Sequence, residues 1–187
     1  MKLHERVCLL AMSVGLLAIL PMSASAQVLS NVGAVNLSAS LAQTLSISIT
    51  SGSSVNFTLT NGSASAGDVP AVIATTWNLN PGQTGAVSLY GYFDTPAAAM
   101  LSGSDQLPSS LVEGRVTTGT PTTYTAFTQT NPVGAAGGSL ALFTEAITGV
   151  NKIKTRTDNL DLRVNLAGQT LPAGSYSGVL KIQARAL

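Results

Sequence analysis

Apolar and polar residues alternate with a period of two along much of this chain. The stretch from Val35 to Leu41 places apolar residues at the odd positions and polar residues at the even ones. Because successive side chains of a β-strand point to opposite faces, this pattern predicts a half-buried strand. The same phase continues through Leu45, Ile47 and Ile49. Further strands are predicted over residues 55–60, 73–79, 86–93, 140–147, 160–166 and 180–186.

Turn-forming residues separate these stretches. Asn61-Gly62 is a strong hairpin signal because both residues tolerate positive φ, and Pro81-Gly82 and Pro172-Ala173-Gly174 also indicate turns. Short alternating stretches separated by turns predict an all-β fold, and specifically an antiparallel β-sandwich. Residues 94–139 show no clear period, with a helical turn predicted for residues 96–101.

The first 26 residues have the pattern of a cleaved export signal. Two basic residues, Lys2 and Arg6, precede an apolar run over residues 7–20, and Ala24-Ser25-Ala26 is a small-x-small cleavage site. We therefore expect a mature chain of residues 27–187 that forms a single domain in the periplasm, at the cell surface or outside the cell. No stretch of residues 27–187 approaches the roughly 20 apolar residues that a membrane helix needs, so no membrane span is predicted there.

The only histidine and the only cysteine of the chain, His4 and Cys8, lie inside this signal segment. The mature chain would therefore lack the residues of the usual hydrolase triad, of thiol nucleophiles and of most zinc sites. The nearest pair of carboxylates, Asp158 and Asp161, fits a turn-forming residue and an outward strand residue better than a glycosidase pair. We expect no enzymatic activity, no cofactor and no metal site.

The chain carries unusually little charge. Charged residues make up 9% of the sequence, compared with about 25% in a typical soluble domain. After the signal segment, basic and acidic residues balance, so the sequence does not predict binding to nucleic acid. A neutral, hydroxyl-rich surface favours a component of an assembly over a concentrated free solute.

A few residues are candidates for ligand contacts. Lys152, Lys154 and Arg156 lie on one side of an extended segment, which predicts a solvated strand face or, as the alternative, a site for an anionic polymer. Trp77 is predicted to anchor the core. Tyr90 and Tyr92 lie on the opposite face of their strand from Val87 and Leu89, which indicates a central strand or a surface that stacks on a sugar ring.

The two ends of the mature sequence carry a resemblance to a known family. The N-terminal stretch is Val-Asn-Leu-Ser-Ala-Ser-Leu-Ala-Gln-Thr-Leu-Ser-Ile at residues 35–47, and the C-terminal stretch is Pro-Ala-Gly-Ser-Tyr-Ser-Gly-Val-Leu at residues 172–180. Both resemble bacterial pilin subunits that are assembled by a chaperone and an usher, especially the cysteine-free class that includes the colonisation-factor pilins.

The resemblance implies an immunoglobulin-like β-sandwich that lacks one strand, with the N-terminal segment of a neighbouring subunit filling the groove by strand addition. In this chain the implied donor residues within residues 27–43 are Val35, Leu37, Ala39 and Leu41. The implied groove-edge residues of the last strand are Tyr176, Leu180, Ile182 and Ala184. The implied function is that of a structural subunit of a surface filament or coat. Its partners would be copies of itself or related subunits, a periplasmic chaperone and an outer-membrane usher.

A second interpretation stays open at this point. The N-terminal strand could fold back into its own sheet and complete the domain. The protein would then be a self-complete binding module for carbohydrate or for surface adhesion, with Tyr90, Tyr92 or the loops of residues 94–139 as its ligand contacts.

Overall fold

The computed structural model describes residues 30–187, and these residues adopt an all-β fold. The predicted signal segment, with His4 and Cys8, lies outside the described residues. Residues Ser40–Leu187 form one unit that contains all the strands, while residues 30–39 belong to a separate N-terminal unit. Among the described residues, no helix has the length and apolar character needed to cross a membrane.

The strands are joined by connections of very different lengths, and two of the connections contain single-turn 3-10 helices. The strands are β1 (Thr44–Ser51), β2 (Ala64–Ala66), β3 (Ala71–Asn78), β4 (Gly85–Tyr92), β5 (Met100–Ser102), β6 (Asp105–Leu107), β7 (Val112–Val116), β8 (Thr125–Ala126), β9 (Ser139–Ile147), β10 (Ile153–Asn165) and β11 (Lys181–Ala186). The 3-10 turns are Pro96–Ala98 and Ser109–Leu111. The first of them confirms the helical turn predicted over residues 96–101 for residues 96–98 only, because Met100 and Leu101 belong to β5.

All strand pairings are antiparallel, and they form two main sheets. The larger sheet has the order β1-β3-β10-β7-β8, with β2 also pairing with β10. The smaller sheet has the order β11-β4-β9, and β5 and β6 form a separate hairpin. Because β4 lies between β11 and β9, the prediction of a central strand at residues 86–93 is confirmed.

Residues of both sheets contribute to one hydrophobic core. The fully buried large side chains are Trp77, Phe127, Ile73, Leu89, Leu107, Leu140, Leu142, Leu160, Leu166, Val87, Val116 and Val164. The alternation of strands β3, β4 and β10 produces this core because every second side chain points inward. The indole N–H of Trp77 donates to the carbonyl oxygen of Asn151 at 2.7 Å, so its polar atom is satisfied inside the core. Trp77 is the core anchor that the sequence predicts.

Two predicted strands differ in the structure. Residues 30–43, which are described, form neither strand nor helix, so the half-buried strand predicted over residues 35–41 is wrong for a single chain. The physical reason is that an alternating stretch becomes a strand only beside a partner edge, and β1 begins only at Thr44. The strand predicted over residues 55–60 is reduced to one bridge between Phe57 and Gly67.

Gly52 explains why β1 does not continue into that stretch. Its φ is +66°, a region that side-chain-bearing residues rarely adopt, and an added Cβ would clash with the carbonyl oxygen of Pro70. The chain therefore leaves the β1 register here. The turn at Asn61-Gly62 is confirmed, because Ser63 N–H donates to the carbonyl oxygen of Thr60 at 3.2 Å and Gly62 has a φ of +77°.

We expect Trp77→Ala to lower the free energy of unfolding by about 3–5 kcal/mol, because it opens a large cavity and leaves the Asn151 carbonyl without its donor. Urea unfolding followed by far-ultraviolet circular dichroism measures this change. Tyr90→Ala is the control, since Tyr90 is only half-buried on the outward face of β4. Equal losses for the two variants would contradict the role of Trp77 as the core anchor.

Candidate functional site

The terminal strands of the two sheets lie side by side. β1 ends the larger sheet and β11 ends the smaller one, and their Cα atoms approach within 8 Å. A terminal strand presents backbone N–H and C=O groups that can pair with an added strand. Two such edges therefore border the same side of the protein.

A cavity of about 410 Å³ opens between these edges, and we call it the edge groove. Its wall on the β1 side includes Ile49 and residues 52–57, and its wall on the β11 side includes residues 176–180 and Ile182. The other lining residues are Ala71, Phe93, Met100 and Leu162. All of the described residues that line the groove are uncharged. The edge groove is therefore suited to apolar side chains carried on an extended backbone.

The groove wall on the β1 side is formed by the residues after Gly52, where strand β1 has ended. There, Val55 and Phe57 turn half-buried side chains toward the core, and the bridge of Phe57 to Gly67 holds this stretch beside β2. Sequence reasoning did not assign these residues to a site. Their alternation was visible, but it was assigned to a regular strand.

Backbone contacts with β5 hold the opposite wall in place. Leu101 and Ser177 exchange two backbone hydrogen bonds of 2.8 and 2.9 Å. At the next residue, Gly178, an added Cβ would clash with the carbonyl oxygen of Ala99. Met100, the first residue of β5, consequently joins the groove lining although its sequence gave no such signal.

The predicted groove-edge residues lie on or near this wall. Tyr176, Leu180 and Ile182 line the edge groove, whereas Ala184 packs against the core further along β11. The Tyr176 hydroxyl donates to the carbonyl oxygen of Pro172 at 3.1 Å. Desolvation raises the pKa of Tyr176, and so does the nearby carboxylate of Asp105, so its hydroxyl stays protonated.

The predicted donor residues are strongly exposed. The side chains of Val35, Leu37 and Leu41 are 83, 91 and 79% exposed, and Ala39 is exposed as well. Isolated exposed apolar residues are common on protein surfaces, but here they occur at alternate positions of one stretch that forms neither strand nor helix. We call residues 35–41 the donor segment.

Tyr90 and Tyr92 lie on the outward face of β4, as the sequence indicates, and both are half-buried. The Tyr92 hydroxyl donates to the side-chain oxygen of Gln183 at 3.4 Å. The loop at Gly134 approaches the ring of Tyr92 so closely that an added Cβ would clash with it. This loop occupies one side of the Tyr92 ring, which limits the surface available for stacking on a sugar.

The two carboxylates considered for glycosidase chemistry do not face each other. Asp158 points inward and is fully buried, where it accepts hydrogen bonds from Arg156 at 2.8 Å and from Thr118 at 2.9 Å. Asp161 points outward and pairs with Arg115 at 2.9 Å. Three residues apart on a strand, their side chains lie on opposite faces. Within residues 30–187, no group of three or more histidine, cysteine or acidic residues is arranged to hold a metal ion.

The cationic residues at the start of β10 do not form a solvated face, so this prediction is wrong. Lys154 and Arg156 lie on the same inward-facing side of β10 as Asp158. Both contact Glu145 of β9: its carboxylate accepts a hydrogen bond from Lys154 at 2.6 Å and lies 3.5 Å from the guanidinium of Arg156. The Lys152 ammonium donates to the carbonyl oxygens of Pro81 and, at 2.7 Å, Gln83. These contacts occupy the donors of Lys152, Lys154 and Arg156 with groups of the protein itself.

Glu145 joins the larger sheet to the smaller one through its ion pairs with Lys154 and Arg156, and these contacts shift its pKa. Burial raises the pKa of Glu145, but hydrogen bonds from Lys154 and Asn151 and the charge of Lys154 outweigh burial and hold the pKa below its ordinary value of 4.5. A carboxylate with a lowered pKa stabilises the fold above its unfolded pKa, and this contribution is lost as the pH falls through the folded pKa.

We expect Glu145→Gln to destabilise the protein at pH 7 and to reduce its sensitivity to acid below about pH 4.5. Urea unfolding between pH 7 and pH 3 measures both effects, and the difference between the wild type and the variant should shrink as the pH falls. Asp94→Asn is the control, since Asp94 forms an exposed pair with Lys181. A difference that stays constant with pH would contradict the role of Glu145.

Comparison with known proteins identifies no relative of this chain. No family model, no curated protein and no solved structure matches it. The geometry of the edge groove and of the donor segment is therefore the basis for assigning a function.

Proposed function

We propose that the protein is an exported structural subunit of a bacterial surface filament or coat, and that its copies join by β-strand complementation. In this proposal the two sheets form an immunoglobulin-like β-sandwich that lacks one strand. The observation that carries the proposal is the edge groove between two terminal strands, in a chain that also has an exposed alternating donor segment. The donor segment of one copy lies in the edge groove of the next.

The chemistry of the two surfaces is complementary. Val35, Leu37, Ala39 and Leu41 project from one face of an extended segment about 20 Å long, at roughly 3.4 Å per residue. The donor segment and the groove lining are both uncharged, so burying one in the other leaves no unpaired charge. The backbone edges of β1 and β11 supply hydrogen bonds, and each buried valine or leucine contributes about 1.5–3 kcal/mol.

The linker between the donor segment and β1 favours donation to another copy. Only Ala42 and Gln43 separate Leu41 from Thr44, so a strand folded back onto β1 would need a two-residue hairpin turn. Such turns require residues that readily adopt positive φ, typically asparagine, aspartate or glycine. Alanine and glutamine do not meet this requirement.

An unfilled groove creates a need for partners before assembly. An open apolar groove between free edges promotes unwanted pairing until a strand fills it. Two partners would meet this need. A periplasmic chaperone would cover the groove, and at an outer-membrane usher the donor segment of another copy would replace the chaperone. The low charge of the chain also fits a protein that functions within an assembly.

We expect Leu37→Asp to weaken self-association of the exported chain by at least about 30-fold, because the groove would lose a buried leucine and receive a carboxylate. Ser38→Asp is the matched control, since it adds the same charge on the opposite face of the donor segment. Light scattering after size exclusion measures the oligomeric state. Equal effects of the two substitutions would contradict a donated strand.

A mixing experiment separates donation between copies from folding back. Leu37→Asp leaves the groove open but impairs the donor segment, whereas Leu180→Glu leaves the donor segment intact but places a carboxylate in the groove. We expect each variant alone to be monomeric and an equimolar mixture to form a one-to-one dimer.

Gln183→Glu is the control for the groove variant, because it adds a charge to the exposed face of the same strand and keeps the oxygen that accepts from Tyr92. Circular dichroism and Trp77 fluorescence check that each variant is folded. A wild type that is a stable monomer at high concentration would overturn the proposal. The self-complete binding module with contacts at Tyr90 and Tyr92 would then be preferred.

A further inference from the structure

A second exposed apolar surface lies beside the start of β1. Val150 and Ile153 are 94 and 74% exposed, and we call them the base patch; Leu41, the last residue of the donor segment, is 79% exposed. Leu41 and Ile153 line a shallow cavity of about 660 Å³, together with Gly149, the residue before Val150. The exposed side chains of Leu41 and Ile153 therefore line one depression, and exposed Val150 directly follows a third lining residue.

The surroundings of the base patch are almost neutral. The same cavity is lined by Asn78, Leu79 and residues 80–81, and Lys152 is the only charged residue among its described lining residues. The ammonium of Lys152 donates to backbone carbonyl oxygens of the β3–β4 connection. The Lys152 ammonium thus contacts the protein itself, and the lining of the cavity exposes mainly apolar groups.

Strand register places the base patch at the point where the donor segment leaves the fold. Thr44, the first residue of β1, pairs with Asn78 of β3, and Asn78 pairs on its other side with Ile153 of β10. At about 4.8 Å between neighbouring strands, Ile153 lies roughly 10 Å from Thr44 across the sheet.

The short linker determines how close a second copy must come. Three residue steps separate Leu41 from Thr44, which span at most about 10 Å in an extended chain. If Leu41 occupies the edge groove of an acceptor copy, the rim of that copy lies about 10 Å from the first residue of β1. The linker is too short for the two folded units to remain apart, which brings the acceptor close to the surface around Thr44 and Ile153.

We propose that the base patch is the docking surface on which the acceptor copy rests when it receives the donor segment. This inference rests on the proposed function and adds a second interface to it. The occupant is another copy of this chain, and the contact buries Val150 and Ile153 beside the inserted strand. Copies are then joined by a packed interface in addition to the donated strand, which limits their freedom to rotate about Ala42 and Gln43.

The test compares self-association of the full exported chain with and without charges in the base patch. We expect the double variant Val150→Asp and Ile153→Asp to weaken self-association about 100-fold, since two large apolar side chains lose their burial. The matched control is Thr122→Asp with Thr128→Asp, which adds the same charges at exposed positions outside the patch. Sedimentation over a range of concentrations gives the association constants.

Two further measurements distinguish loss of docking from loss of the fold and from failure of strand donation. The base-patch substitutions are also placed in the monomeric Leu37→Asp background, where unchanged urea unfolding shows that they do not disturb the fold. If they do disturb it, Val150→Ser with Ile153→Ser replaces them in the association measurement. Association equal to that of the control overturns the docking surface and leaves strand donation intact. Failure of the Leu37→Asp and Leu180→Glu variants to form a dimer overturns the proposed function instead.

Discussion

The fold depends on burying apolar side chains from both sheets in one hydrophobic core. Residues 30–187 contain no cysteine, so no disulfide can hold the two sheets together. Trp77 from the larger sheet, Leu89 from the smaller one and Phe127, which directly follows β8, are fully buried. Packing of apolar side chains is the main source of stability in such a fold.

The two ends of β10 show how this packing is supplemented. From Leu160 to Val164 the inward residues are apolar and belong to the core, whereas from Lys154 to Asp158 the inward residues are charged. The charged part reaches Glu145 on β9 and so joins the sheets by hydrogen-bonded ion pairs. Asp158 is buried and the charges of Arg156 and Glu145 are partly buried, and each has an opposite charge and hydrogen-bond partners.

At the opposite boundary, the core ends at an open groove. Gly52 diverts the chain from the β1 register, and the bonds between Leu101 and Ser177 hold the other wall in place. The edge groove, the donor segment and the base patch share one property, which is exposed apolar surface on a nearly neutral protein. A second copy of the chain covers all three in the arrangement we propose, with no additional partner in the finished assembly.

The sequence by itself determined the all-β class and the burial of Trp77, because a period of two is a local property of the chain. For β4 it left a central strand and a stacking surface as alternatives, and the order β11-β4-β9 decided for the central strand. The sequence did not determine which side of β10 carries Lys154 and Arg156 inward, nor that Val55, Phe57 and Met100 meet Leu180 and Ile182 around a groove. It also predicted a strand over residues 35–41 that a single chain does not form. Pairing partners and facing side chains are set by contacts between distant segments, and only the tertiary structure decides those.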